Sequence, residues 1–210
     1  MKKNLFAILA ISALVFTSCK DDKKSTETNT ENVDTKSNNE TTEDVNSGEA
    51  TTSGNLLSDV ALLNKAEKEL KELPKFKGKE IKVFQQVYFY GDGRIKLAIQ
   101  DPAKPENVDD YLFQNGKWQE PQPVQISGGG SMDDNVFPLK DIKFETVANI
   151  NKQVEAKSKD IEGAQPLGAL YYAMNPATGE LRWMASVQGT RGNYTGMFNA
   201  DGSLKSFDQN

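Results

Sequence analysis

The chain has no histidine and a single cysteine among its 210 residues. Without histidine it lacks the usual general base near neutral pH, the Ser-His and Cys-His nucleophile pairs, and the commonest transition-metal ligand. The lone Cys19 can neither close a disulfide within the chain nor build a zinc site of Cys and His ligands. Apolar runs are short as well. The longest, Leu5 to Phe16, falls well below the roughly 20 residues of a helical membrane span. The reading from these absences is a protein with no catalytic residue, no metal site and no cofactor, stabilised by packing alone.

What is present begins with the leader, residues 1–18. Lys2 and Lys3 precede the apolar run, and Thr17-Ser18-Cys19 follows it as a small-residue site ending in the cysteine. This is the layout of a secretory signal peptide. With its cysteine at the cleavage point it resembles the bacterial lipobox, apart from Phe16 where an aliphatic residue is usual. The resemblance implies that Cys19 is lipidated and becomes the mature N-terminus, holding the protein at a membrane. A buried thiol ending a core helix would need an amphipathic pattern to continue beyond it, and none follows.

From Lys20 to Gly54 the chain is Asp, Glu, Lys, Asn, Ser and Thr with almost no apolar residue, so it cannot bury enough surface to offset its ordering entropy. Residues 19–54 read as a lipidated cysteine and polar tether, with a coil dimension on the order of 30 to 40 Å. Lys20, Asp21 and Asp22 resemble the export signal of Bacteroidota surface lipoproteins. That implies an outer-membrane anchor facing either the cell surface or the periplasm. Of 25 basic and 30 acidic residues, the leader takes 2 basic and the tether 4 basic and 9 acidic, leaving 19 basic and 21 acidic from Asn55 onward. So balanced a remainder has no basic footprint for nucleic acid.

Residues 55–210 read as an internal repeat. Leu56, Val60, Leu63, Ala66, Leu70 and Leu73 draw one helical stripe ending at Pro74; Leu139, Ile142, Phe144, Val147, Ile150, Val154 and Ile161 draw another after Pro138. Four strands are predicted after each helix: Lys82–Tyr90, Arg94–Gln100, Asp110–Gln114 and Lys117–Glu120, then Leu167–Met174, Glu180–Val187, Asn193–Asn199 and Ser203–Phe207. Between them lie turns with Gly or Asn at Gly91-Asp92-Gly93, Asn115-Gly116, Asn175 to Gly179 and Ala200-Asp201-Gly202. The predicted fold is α+β, with two tandem helix-plus-four-stranded antiparallel repeats, 55–126 and 137–210, packed as one unit across a Gly-rich joint at 127–136.

Two segments, Phe137-Pro138-Leu139-Lys140-Asp141-Ile142 and the terminal Phe198-Asn199-Ala200-Asp201-Gly202-Ser203-Leu204 hairpin, complete a pattern that resembles the PepSY-like and beta-lactamase-inhibitor-protein-like lipoproteins of bacterial envelopes. The resemblance implies a binding or inhibitory module and transfers no catalytic residue. Other material for chemistry is sparse. Gly128-Gly129-Gly130-Ser131 reads as a joint rather than a serine elbow or anion nest, since Met132-Asp133-Asp134 suits neither. Asp92, Asp109-Asp110, Asp133-Asp134 and Asp201 sit in predicted turns, where Asp serves its own backbone, and the spacing of an EF-hand is absent. Weak calcium binding is their functional alternative.

Phe84, Tyr88 and Tyr90 alternate with Val83, Val87 and Phe89 along one strand, and Tyr171, Tyr172 and Trp183 hold comparable places in the second half. A strand apolar on both faces has both covered, or one waiting for a partner. Either the repeats pack together and hide these rings, or the six residues Phe84, Tyr88, Tyr90, Tyr171, Tyr172 and Trp183 line a partner-binding surface. The expected function is a non-enzymatic lipoprotein that binds or inhibits an envelope or extracellular protein. The alternative is an accessory glycan binder using Trp118 and Trp183, and an enzyme run on carboxylates ranks last.

Overall fold

The structure, a computed structural model, describes residues 55–127 and 130–210. Cys19, Lys20, Asp21 and Asp22 lie outside the described residues, as do the leader, the tether and Gly128 and Gly129 of the joint. No described helix is long and apolar enough to cross a membrane.

Helix α1 (Val60–Glu72) buries Leu63, Ala66 and Leu70, the core of the predicted stripe. It starts later than Leu56 because Asp59 leaves helical geometry (φ −92°, ψ 86°) and its carboxylate accepts from the Leu62 N–H. Leu56–Ser58 instead form a 3-10 turn that buries Leu56 and Leu57 under an Asn55 side-chain cap. The helix stops where Leu73 turns extended before Pro74, as the proline ring requires of its predecessor. Helix α2 (Thr146–Ser158) also begins later than Pro138 indicated. Leu139–Asp141 make a single 3-10 turn and Ile142 is extended (φ −127°, ψ 153°), so Pro138 opens that turn instead. Glu67 of α1 reaches across to accept from the Phe144 N–H at 2.8 Å, tying the two helical segments together.

Among the described residues ten strands form one antiparallel sheet: β1 (Lys82–Tyr90), β2 (Ile95–Gln100), β3 (Val108–Gln114), β4 (Lys117–Trp118), β5 (Gln122–Pro123), β6 (Val136–Pro138), β7 (Ala169–Met174), β8 (Leu181–Gly189), β9 (Gly192–Phe198) and β10 (Leu204–Gln209). The order across it is β10-β9-β8-β7-β1-β2-β3-β4, with β5 added to β3 and β6 to β1. Strands β5 and β6 are not among those the sequence predicts; each is two or three residues long, contains proline and pairs at one side only. The halves meet along β1 and β7, where Val87 pairs with Tyr172 and Tyr88 with Tyr171.

Strand β1 changes partner partway. Its first residues pair with β6, a bulge falls between Phe84 and Val87, and Gln86 to Tyr90 pair with β7. Gln85, at the bulge, has φ of 59°, the left-handed region that a non-glycine residue seldom enters. The core lies on one face only. Val87, Phe89, Leu97, Phe113, Leu170, Tyr172, Trp183 and Phe198 pack there with the buried stripes of α1 and α2. At the seam Phe89 meets Phe144 edge-on at 4.9 Å and Trp183 at 5.8 Å, while Trp183 meets Tyr172 at 4.9 Å. Of the two ways to pack the halves as one unit, stacked sheets or one sheet extended across both, the second is formed. What is corrected is that this hides all the aromatic residues, since Phe84, Tyr88, Tyr90 and Tyr171 stay partly exposed on the face that carries no described helix.

Candidate functional site: the open face of the sheet

Pleating sends alternate residues of each strand to opposite faces. Reading the register across the sheet, the open face carries a row Leu112, Lys96, Tyr88, Tyr171, Met184, Met197 and Ser206, one residue from each of seven neighbouring strands. Tyr90 pairs with Ala169 on one side of this row; Phe84, Ala98 and Asp110 lie on the other. Lys96 is exposed and the other members are partly exposed, whereas their strand neighbours Val87, Phe89, Tyr172 and Trp183 are fully covered.

The tyrosine rings form a short stack. Tyr88 lies 5.9 Å from Tyr90 with planes 21° apart, and 5.3 Å from Tyr171 at 39°; the Arg94 guanidinium sits 4.5 Å above the Tyr90 ring. Side chains stand roughly upright on a sheet, so rings stacked along it turn their faces to one another and their edges and hydroxyls to solvent. Burial, with some help from Tyr171 and Tyr90, pushes the Tyr88 phenol above its ordinary value, so it stays a proton donor at neutral pH. Beside the stack lies a hollow of about 340 Å³ bounded by Phe84, Gln85, Gln86, Tyr88, Lys96 and Asp110. Charges on this face are paired: Lys96 with Asp110 at 3.1 Å, Arg94 with Asp92 at 2.8 Å, and Arg182 with Glu180 at 3.8 Å.

Of the six aromatic residues predicted to meet a partner, the structure brings Phe84, Tyr88, Tyr90 and Tyr171 to the open face. Tyr172 and Trp183 are corrected: they point into the core, and the Trp183 indole N–H donates to the Ala200 carbonyl at 3.1 Å. Trp118 is spent likewise, donating to the Ala66 carbonyl at 3.0 Å and packing on Phe113. Both tryptophans of the glycan reading therefore serve the core. Met184, Met197 and Leu112 were missed. Their signal was available, because Arg182 and Ser186 flank Met184 at period two and mark the outward phase of β8.

Asp92, Asp101, Asp109, Asp110, Asp133 and Asp201 each engage a neighbouring cation or turn group. Asp92 accepts from Arg94, whose side chain holds it below the usual carboxylate range. Asp201 accepts from the Ser203 hydroxyl and N–H, which depress it similarly. Asp109 and Asp101 hold the Lys75 ammonium between them at 2.6 and 3.0 Å, and Asp133 faces Lys82 at 3.3 Å. Among the described residues no three acidic residues group as a metal site would need. Ser131 caps a 3-10 turn through the Asp133 N–H. No protein family, curated protein or solved structure matches this chain.

Proposed function

We propose that this chain is a non-enzymatic lipoprotein, anchored in the outer membrane through lipid on Cys19, whose open sheet face binds and occludes an envelope or extracellular protein. One observation carries the reading. The Tyr88, Tyr171, Met184 and Met197 row lies partly exposed on the face opposite both helices, and no described helix lies over it. Aromatic residues and methionine are the side chains enriched at protein interfaces. Six inter-strand steps give the row a span of roughly 29 Å, comparable with one side of a standard interface.

Tandem repeats are part of the same proposal. The strand order reads alike from either end toward the β1–β7 seam, and a helix precedes each four-strand meander, which supports two copies joined by their first strands. A glycan partner is the weaker reading. Sugar stacking uses a free aromatic face, and here the tyrosine faces are turned to one another and to Arg94.

The test is site-specific photocrosslinking in intact cells. A photoreactive side chain at Tyr171 is expected to give one discrete protein adduct, and the same group at Lys68 on the helix side none. Equal labelling at both positions, or adducts with polysaccharide alone, would overturn the reading.

A further inference from the structure

The sheet ends differently at its two sides. Beyond β3 it is closed by β4 and β5, two residues each and the second carrying Pro123, so that edge offers no run of free main chain. At the other side lies β10, six residues long, with no described strand beyond it. Its ladder shows which main-chain groups are free. The Asn210 N–H donates to the opposed Asn193 carbonyl at 2.8 Å, which marks these two as a hydrogen-bonded pair. Such pairs alternate along an antiparallel ladder, so Ser206 and Asp208 turn their groups to β9, whereas the N–H and C=O of Phe207 and Gln209 point off the edge. The devices that commonly guard an edge do not reach these residues. The bulge ends before Ser206, and the Lys205 ammonium is drawn back across the sheet to Glu180 at 2.6 Å. Phe207 adds an apolar surface: it is partly exposed on the core-side face, stacked on Tyr194 at 6.3 Å and leaning over Gly196, which has no side chain to cover it.

We propose that a second copy of this chain occupies this edge, β10 pairing antiparallel with β10 about a twofold axis through Phe207. The main-chain groups and the charges select that register. Centred on Phe207, the two strands oppose Phe207 to its own copy, where each residue's free N–H meets the other's free C=O, and oppose Gln209 to Lys205. The Ser206 hydroxyl then faces the Asp208 carboxylate of the second copy on the open face, and Asp208 has no cation partner among the described residues. The other register that uses Phe207 and Gln209, centred on Asp208, opposes two aspartates and is disfavoured. At the axis the two half-covered Phe207 rings cover one another, a self-complementary contact that closes on itself. The axis stands normal to the sheet, so both open faces look the same way and the row from Tyr88 to Ser206 continues into its copy.

The experiment is disulfide cross-linking of the full-length chain in cells, under mild copper-phenanthroline oxidation, read as dimer on a non-reducing gel. The unsubstituted chain sets the background from Cys19. Opposed residues have Cα atoms about 4.5–5.5 Å apart, inside the disulfide range, whereas residue 208 lies about 7–8 Å from its own copy in this register, at or past that range. Phe207→Cys should therefore form dimer about tenfold faster than Asp208→Cys. Ser206→Cys and Asp208→Cys chains carrying different tags and expressed together should form the mixed dimer as fast as Phe207→Cys forms its own. This polar pair leaves the Phe207 ring in place, so it tests the register even where Phe207→Cys impairs folding. Adding Gln209→Pro, which removes an outward N–H and no bond to β9, should suppress the mixed dimer while the melting curve stays unchanged. Dimer no greater than that of the unsubstituted chain in both the Phe207→Cys and the mixed experiment, or Asp208→Cys cross-linking as fast as either, would overturn the proposal. So would a mixed dimer that Gln209→Pro leaves untouched.

Discussion

Replacing Trp183 by phenylalanine tests which face of the sheet is the core. Trp183 is fully buried, packs on Phe89 and Tyr172, and donates its indole N–H to the Ala200 carbonyl. Phenylalanine keeps the first ring and removes the second together with the donor. Losing the hydrogen bond and stranding its carbonyl costs about 1 kcal/mol or somewhat more. The vacated space adds roughly 1–2 kcal/mol, since a core cavity only partly collapses. A total of about 2–3 kcal/mol is a large share of the 5–15 kcal/mol typical of a domain, so the variant folds but with a narrow margin. With a urea slope near 2 kcal/mol/M, the unfolding midpoint should fall by about 1–1.5 M at unchanged slope. Tyr171→Phe, one face over, should move it by less than about 0.25 M, the range of ordinary surface substitutions. Equal midpoints for the two variants would mean that Trp183 faces water, and the assignment of faces made above would be wrong.

On the proposed lipid anchor, Cys19→Ala should release the protein from the membrane fraction without changing its melting behaviour; retention in the membrane pellet after a carbonate wash would remove the anchor. Residues 55–126 and 137–210 expressed apart should be unfolded or aggregated, whereas the intact chain melts in one transition, since separation exposes β1 or β7 and parts Phe89 from Phe144 and Trp183. Two independent folded halves by circular dichroism would contradict this. Stability should hardly vary between about pH 5 and 8, because no histidine titrates there. It should then fall below about pH 4, as Asp92, Asp101 and Asp201 are protonated: their folded pKa values lie below the unfolded ones, so their contribution is complete above the ordinary carboxylate range and is lost on acidification. Asp101, held down chiefly by the Ala103 N–H and also by Lys75, makes the direct control, for Asp101→Asn should flatten the acid limb.

Local chemistry was legible and long-range pairing was not, and the divide runs through individual residues. Strand β1 begins and ends where its alternation does, at Lys82 and Tyr90. The turns fall where Gly93, Asn115-Gly116, Gly179 and Gly202 adopt positive φ, a requirement written in the residue type itself. Helix starts were misread where a competing cap was available: the Asp59 carboxylate and the extended Ile142 override an apolar stripe that runs on through them. The union of β1 with β7 has no local signature at all. Those strands are some eighty residues apart, and backbone hydrogen bonds between them are the same whatever side chains they carry.

The misplacement of Tyr172 and Trp183 has the same root. Period-two alternation separates two faces but does not say which is covered, and β7 (Ala-Leu-Tyr-Tyr-Ala-Met) has no charged residue to mark the outside. Its phase can be inherited only from neighbours. Arg182 in β8 fixes Trp183 as inward, and Trp183 pairs with Tyr172, which makes Tyr172 inward and Tyr171 outward. One charged residue in β8 thus sets the orientation of two aromatic residues in β7. The same step, carried once more across the seam, puts Tyr88 beside Tyr171 and assembles the candidate binding row from strands that no local pattern joins.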